Sequence, residues 1–392
     1  MSDLDNLLAS REMVLVAGSG GVGKTTIAAA MGIAAAQRQK GNVLVLTVDP
    51  ARRLASALGL DEVGNVPVRI DPETFAAAGV KARGELYVAM LDTKAGWDEL
   101  IRRHAPDVEV RDAVLANPLY QNITSRFVQS HDYLAMEQLH DLHATGEFDL
   151  VIVDTPPSRN ALSILDAPGR MVDFFGSKLL RWLTVPYRSR IFTVASKPFY
   201  QVADRVLGSR FLQDIADFFV LFQAMERGFV RRARAVEALL VDPRTAFVVV
   251  TTLETAPSHE AKFLVGALDE RKMSLGAVVA NRVLPAELAE PEAAASAMAL
   301  LEAADGRLPA RIAKRLDGTE RAKKATTTTA AHVLREMASR FDDVALVAAR
   351  EAERRHELQA AAPAMLTVPW LDGDIHDVRG LGELAEHLRH AE

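Results

Sequence analysis

The chain has 392 residues, 46 Lys+Arg against 52 Asp+Glu for a net charge of −6, and no cysteine. Absent thiols exclude a disulfide framework, Cys-ligated zinc, an iron–sulfur cluster and a thiol nucleophile. An acidic balance without a basic tail also argues against nucleic acid as the main ligand.

A length near 400 exceeds what one core usually serves, so the chain reads as two domains or one large α/β domain carrying an insertion. Residues Met1 to Arg11 are polar and acidic rather than basic then apolar, unlike a signal peptide. The first apolar run, Met13 to Ala17, precedes a glycine cluster and then an alanine-rich stretch of strong helix formers. That order predicts strand, loop, helix. Further strands are predicted at Val43–Val48, Leu86–Leu91, Leu150–Val153, Ala246–Val250, Ala277–Ala280 and Met365–Val368. Short apolar runs separated by helical patterns suit a doubly wound, mainly parallel sheet with helices on both faces.

From about Thr93 to His143, and again from Ser158 to Asp242, the pattern is helical. The reading is therefore an α/β domain over residues 1–157 and 243–392, with a helical segment at about 93–143 and a helical insertion subdomain over 158–242. Ala/Glu/Arg-rich helices are expected from Glu290 to Leu358, with the threonine run Thr326–Thr329 as a loop between them. No heptad series of coiled-coil length is evident. The longest uninterrupted apolar or glycine stretch, Ile27–Ala36, is well short of the roughly 20 residues a membrane-spanning helix needs. The expectation is a cytoplasmic protein without an integral membrane segment, any membrane association being peripheral and through a partner.

The sharpest local signal is Gly18-Ser19-Gly20-Gly21-Val22-Gly23-Lys24-Thr25-Thr26, which fits G-x-x-x-x-G-K-[ST] between a predicted strand and helix. Glycines let the backbone N–H groups wrap phosphate oxygens, and the helix N-terminus adds its dipole. Gly20, Gly21, Val22, Gly23, Lys24, Thr25 and Thr26 are the candidate phosphate cradle. Lys24 would reach the β- and γ-phosphates of ATP, and Thr25 would ligate Mg²⁺. Asp154, at the end of its strand, suits the carboxylate that holds the Mg²⁺ water shell, and Asp49 also ends a strand. Carboxyl ends of parallel strands are where α/β sheets place ligands. The bland alternatives are a glycine turn capping a helix, and aspartates opening a turn beside proline.

Together, GGVGKTT, TVDPAR at Thr47–Arg52 and VDTPPS at Val153–Ser158 resemble the ArsA/guided-entry ATPase family, the deviant-Walker ATPases of arsenite pumping and tail-anchored protein targeting. Glu254 and Asn281 keep that family's spacing (281 − 254 = 27), an NRVLP run follows a predicted strand, and VPWL at Val368–Leu371 leads to DVRG at Asp377–Gly380. The resemblance implies that Asp49 orients the hydrolytic water and that Asp154 opens the second switch segment. It implies that Asn281 contacts adenine, that Val368 to Trp370, including Pro369, walls the base pocket, and that Glu254 lies near the nucleotide across a dimer interface. It also implies ATP/ADP and Mg²⁺ as cofactors, and a homodimer or a heterodimer with a paralogous ATPase. A membrane-protein client or a transporter is the implied outside partner.

Three departures matter. The family's usual loop reads G-K-G-G, its first lysine reaching the partner's phosphates, and Ser19 stands there instead. A missing cation of this kind removes transition-state charge stabilisation worth up to about 10³-fold or more. The switch segments read Asp49-Pro50-Ala51-Arg52-Arg53 and Asp154-Thr155-Pro156-Pro157-Ser158-Arg159 rather than D-P-A-H and D-T-A-P-T-G-H, so Arg52 or Arg159 is a candidate replacement cation. Without cysteine, neither an arsenite thiolate site nor a CxxC zinc site can form.

Two weaker features have bland readings. Glu137, His140 and His143 fall at helical spacing, which a solvated helix face explains as well as a metal does. The apolar clusters Phe174, Phe175, Leu179, Leu180, Trp182, Leu183 and Phe211, Leu212, Phe218, Phe219, Leu221, Phe222 are either the insertion's own core or a client groove. Three functions compete: an Mg-dependent ATPase coupling nucleotide state to dimer conformation for membrane-protein targeting or a transport partner; a slow or inactive nucleotide-gated subunit whose partner supplies the trans lysine; and a positioning ATPase of the Min or Par kind. The last would need a basic membrane tail or DNA-binding charge, and Gly380–Glu392 supplies neither.

Overall fold

Apolar runs with no polar face can satisfy their backbones only inside a sheet covered on both sides. The computed structural model describes residues 2–48, 57–60, 63–91, 93–117, 120–121, 130–156, 163–176, 218–221, 223–316, 326–371 and 373–390. These form an eight-stranded sheet in the order β3-β4-β2-β5-β1-β6-β7-β8. Its strands are β1 (Met13–Ala17), β2 (Asn42–Thr47), β3 (Val68–Arg69), β4 (Glu85–Met90), β5 (Leu150–Asp154), β6 (Thr245–Thr251), β7 (Leu275–Val283) and β8 (Met365–Pro369). Every neighbouring pair is parallel except β3 with β4. The seven apolar runs read from the sequence are the seven parallel strands. The two-residue antiparallel edge β3 carries a half-exposed Val and an exposed Arg, so it gives no periodic signal.

One face of the sheet is covered by α1 (Asp3–Ser10), α2 (Lys24–Arg38), α3 (Pro72–Ala77) and α13 (Val378–His390), joined in one apolar cluster with alternate strand residues such as Val14, Val45 and Ile152. The opposite strand residues, among them Leu15, Leu46 and Val153, pack against α6 (Ser130–Ala144), α8 (Glu226–Leu240) and α9 (Thr255–Glu270). A third cluster lies beyond the sheet. It joins α4 (Thr93–His104), α5 (Val108–Ala116), α6, α7 (Ser163–Gly176) and α8 through Trp97, Tyr133, Val114 and Phe229. Phe218 is buried there and Phe219 and Leu221 pack against it. Of the apolar clusters singled out in the sequence, these three residues have described side chains. Leu179–Leu183, Phe211, Leu212 and Phe222 lie outside the described residues.

The threonine run departs from its expected loop. After α10 (Pro291–Asp305) and α11 (Leu308–Leu316), the chain re-enters a 33-residue helix, α12 (Thr327–Gln359). Thr326 caps it, its hydroxyl accepting from the Thr329 backbone N–H at 3.1 Å. Threonine is a poor interior helix residue but a favoured N-cap, and the cap decides at this position. Among the described residues, no helix is long and apolar enough to cross a membrane.

Candidate nucleotide site

Chain order makes β1 the strand at which the order of strand addition reverses: β5 and β2 lie on one side of it and β6 and β7 on the other. Ligands in open α/β sheets bind outside the carboxyl ends of strands at such a reversal. The loop Gly18–Gly23 leaves β1 there and feeds α2, whose N-cap Gly23 has φ 99°. A Cβ at Gly23 would sit 2.4 Å from Asn281 Nδ2, so glycine is required by backbone conformation and by space alike.

Parallel register sets Asp154 beside Val16 on one flank and Thr47 on the other. The Asp154 side chain is fully buried, and its Oδ2 accepts from Thr25 Oγ1 at 2.6 Å and from Thr47 Oγ1 at 2.9 Å. Thr155 anchors the outgoing chain by donating its hydroxyl to the Val16 carbonyl at 2.9 Å. Lys24, almost buried, donates from Nζ to the Ser19 carbonyl at 2.9 Å, folding its ammonium back over the loop. Thr25 and Asp154 form a compact set of hard oxygen donors next to a helix N-terminus. That chemistry fits Mg²⁺ with a phosphate group. Ser19 turns its Oγ into the loop, where it is enclosed and has no hydrogen-bond partner among the described residues.

Asn281 enters the site by a route the sequence does not announce. Register shifts between Ala280 and Val283 where β7 meets β8, and Arg282 adopts φ 60°. Such a bulge re-aims a side chain. Asn281 Nδ2 consequently donates to the Val22 carbonyl at 2.8 Å, and its Oδ1 accepts from the Arg282 N–H at 3.0 Å. This ties β7 to the phosphate loop. Downstream, Trp370 donates its backbone N–H to the Val283 carbonyl at 3.0 Å and is itself 62% exposed, while Pro369 is exposed beside it.

Glu254 is the N-cap residue of α9, exposed, with no capping bond from its own side chain. Its loop is held from α12, where Arg354 donates to the Leu253 carbonyl at 2.8 Å and to Thr255 Oγ1 at 2.9 Å. Glu351, one turn earlier, accepts from the Leu284 N–H at 3.2 Å. Burial pushes the Glu351 carboxyl up, the Leu284 N–H and Arg354 oppose this, and nearby Glu254 reinforces it.

Asp49, Arg52, Arg53 and Arg159 lie outside the described residues. Two of the spaced trio before β5 have structural partners: Glu137 is bound by Tyr133 and Arg232, and His143 Nε2 lies 3.1 Å from Glu12. Among the described residues, no group of three or more His, Asp or Glu is arranged to hold a metal ion.

A mainly parallel sheet with a G-x-x-x-x-G-K-T loop at its reversal strand and an Asp ending the adjacent strand defines the P-loop NTPase class. Within it, the profile of the family described as anion-transporting ATPase, ArsA, matches residues 11–300, and the chain belongs to that family. The chain is 29% identical over 272 residues to an uncharacterised protein of Streptomyces coelicolor, covering 69% of this chain and 62% of that protein. It is 25% identical to a putative arsenical pump-driving ATPase 1 of Aquifex aeolicus, covering 71% and 65%, and 24% identical to the ATPase GET3 of Malassezia globosa, covering 72% and 76%. The chain thus spans less than two thirds of the first two of these relatives.

Proposed function

We propose that this protein binds ATP with Mg²⁺, hydrolyses it, and couples nucleotide state to a dimer conformational change that serves a membrane-protein client or a transport partner. The observation that carries the reading is the Thr25–Asp154 hydrogen bond at 2.6 Å beside Lys24, at the head of α2. Lys24 exchanges the Ser19 carbonyl for phosphate oxygens, and the N–H groups of Gly20 to Thr26 cradle them. Thr25 and Asp154 would hold Mg²⁺, whose charge would offset that of the phosphates. Asp49 orients the attacking water. Asn281 supports the loop and, with Pro369 and Trp370, forms the base side. Glu254 faces the nucleotide of the opposing subunit. The family membership and the names arsenical pump-driving ATPase and GET3 among its relatives support both the ATPase chemistry and a membrane-linked role.

The test is calorimetric titration with ATP and Mg²⁺, and phosphate release, for the wild type and Lys24→Ala. Binding lost in Lys24→Ala and dependent on Mg²⁺ is expected; equal affinity in both would refute it. Ser19 favours a second reading, in which hydrolysis is slow until a paralogous subunit supplies the trans lysine. Ser19→Lys then raises turnover of the purified chain at least about tenfold, and fast turnover of the unmodified chain alone excludes this reading.

A further inference from the structure

Helix α12 buries one stripe against its neighbours, with Leu334, Ala338, Ala345 and Ala348 enclosed. Adjacent to it runs a second, outward stripe: Val333, Met337, Arg340, Val344 and Val347. Their spacings of 4, 3, 4 and 3 keep them on one face of a helix, the 3.5-residue repeat of helices that pair along their length. All five are exposed, the four apolar residues by 40–55% and Arg340 by 83%. A soluble helix normally sets charge on such a face, so a line of valine and methionine facing water calls for a partner.

We propose that this stripe pairs antiparallel with the same helix of a second copy of the chain. The order of residues specifies the occupant. The stripe reads apolar, apolar, Arg, apolar, apolar and is nearly symmetric about Arg340. Two-fold symmetry, in which a patch meets itself, sets Val333 against the partner's Val347 and Met337 against the partner's Val344. It also brings Arg340 within about a turn of the partner's Glu336 and the partner's Asp343. Among the described residues, exposed Glu336 makes a 3.8 Å pair with Arg340 of its own chain. The two Arg340 side chains themselves meet near the axis, where four carboxylates, Glu336 and Asp343 of each copy, offset their like charges. Val333 to Val347 covers about 21 Å of helix, less than a standard interface, so this contact alone gives weak association that other surfaces of a dimer extend.

The pairing has a consequence for the nucleotide side. Arg354 ties the following turns of α12 to the loop after β6, which bears Glu254, and Glu351 ties them to Leu284, directly after the end of β7 that carries Asn281. A partner seated on α12 thereby fixes the position of those loops. This inference rests on the dimer part of the proposed function and is independent of its ATP part.

The cysteine-free sequence allows a clean cross-linking test. Single variants Val333→Cys, Arg340→Cys and Val347→Cys are oxidised with copper phenanthroline in the full chain. Arg340→Cys is expected to form a covalent dimer. Val333→Cys and Val347→Cys each fail alone, since like positions lie about 21 Å apart, far beyond disulfide reach, yet they cross-link when mixed. Sedimentation of Met337→Glu with Val344→Glu should show a dissociation constant raised about tenfold or more. A wild type that is monomeric with and without ATP overturns both this pairing and the dimer reading. A dimer that yields no Arg340→Cys product and survives the double glutamate variant overturns the α12 pairing alone. Lys24→Ala on the Arg340→Cys background keeps the cross-link if the two parts are independent.

Discussion

The sheet and the helical layer beside it are both well buried, but they are filled differently. On the sheet, β1, β5 and β6 are wholly enclosed and almost wholly apolar, and their polar groups sit at strand ends, where Asp154 accepts from Thr25 of α2 and from Thr47 at the end of β2. The helical layer of α4, α6 and α8 instead buries ionisable groups. Glu137 is 2% exposed and held by the Tyr133 hydroxyl and by Arg232 at 2.7 Å. Burial pushes its carboxyl up, and the two partners pull it back. His104 packs against Phe229 with ring centres 4.9 Å apart and planes tilted by 45°, and its Nε2 is buried without a hydrogen-bond partner among the described residues. A sheet that must close around backbone hydrogen bonds places its charge at the carboxyl ends of its strands. Helices satisfy their own backbones and leave side chains free to bury charge as a constraint on packing.

Breaking the buried pair is the severest way to test that contrast. Arg232→Leu strands Glu137 in a closed site and should cost about 3–5 kcal/mol, read by denaturant unfolding; adding Glu137→Leu should recover most of the loss. If the single variant unfolds like the wild type, the pair constrains nothing. On the sheet, Leu15→Ala should cost about 2–5 kcal/mol, with the same loss at pH 5 and pH 8 because no titrating group is involved.

A smaller effect is expected where the sheet meets the loop. Asn281→Ala removes the tie to the Val22 carbonyl and should cost about 1 kcal/mol, while weakening nucleotide binding measured by titration; Asn281→Asp should not restore it, since a carboxylate cannot donate. Smallest at neutral pH is His104→Phe. Burial, then Arg232 and Arg231, pushes the imidazole down to about 4 from 6.5. The folded state therefore binds this proton less readily than the unfolded chain. The contribution is complete above pH 6.5 and drains away as pH falls towards 4. His104→Phe should flatten that decline in melting temperature and change little at pH 8. An unchanged slope would show that His104 does not titrate as its surroundings dictate.

Most of the sheet was legible because each parallel strand is an apolar run ended by a turn signal, and the phosphate loop because its glycines, lysine and threonine must stand at fixed spacing. The edge strand β3 was not, having two residues and no period. The α12 cap was read as a loop because threonine propensity describes helix interiors rather than starts. The resemblance pointed to Asn281 through its spacing from Glu254. Its grip on Val22 depends on a bulge that one sequence does not display.

The sequence alone thus determined the class of the fold, the place of the G-x-x-x-x-G-K-T loop between β1 and α2, and the exclusion of thiol chemistry, since these follow from local spacing and residue type. Only the tertiary structure decided that Asp154 is shared between Thr25 and Thr47, that Asn281 clasps the loop, and that one stripe of a 33-residue helix faces outward. Those facts join residues up to 259 positions apart. No local pattern encodes such pairings; strand order, register and helix packing do.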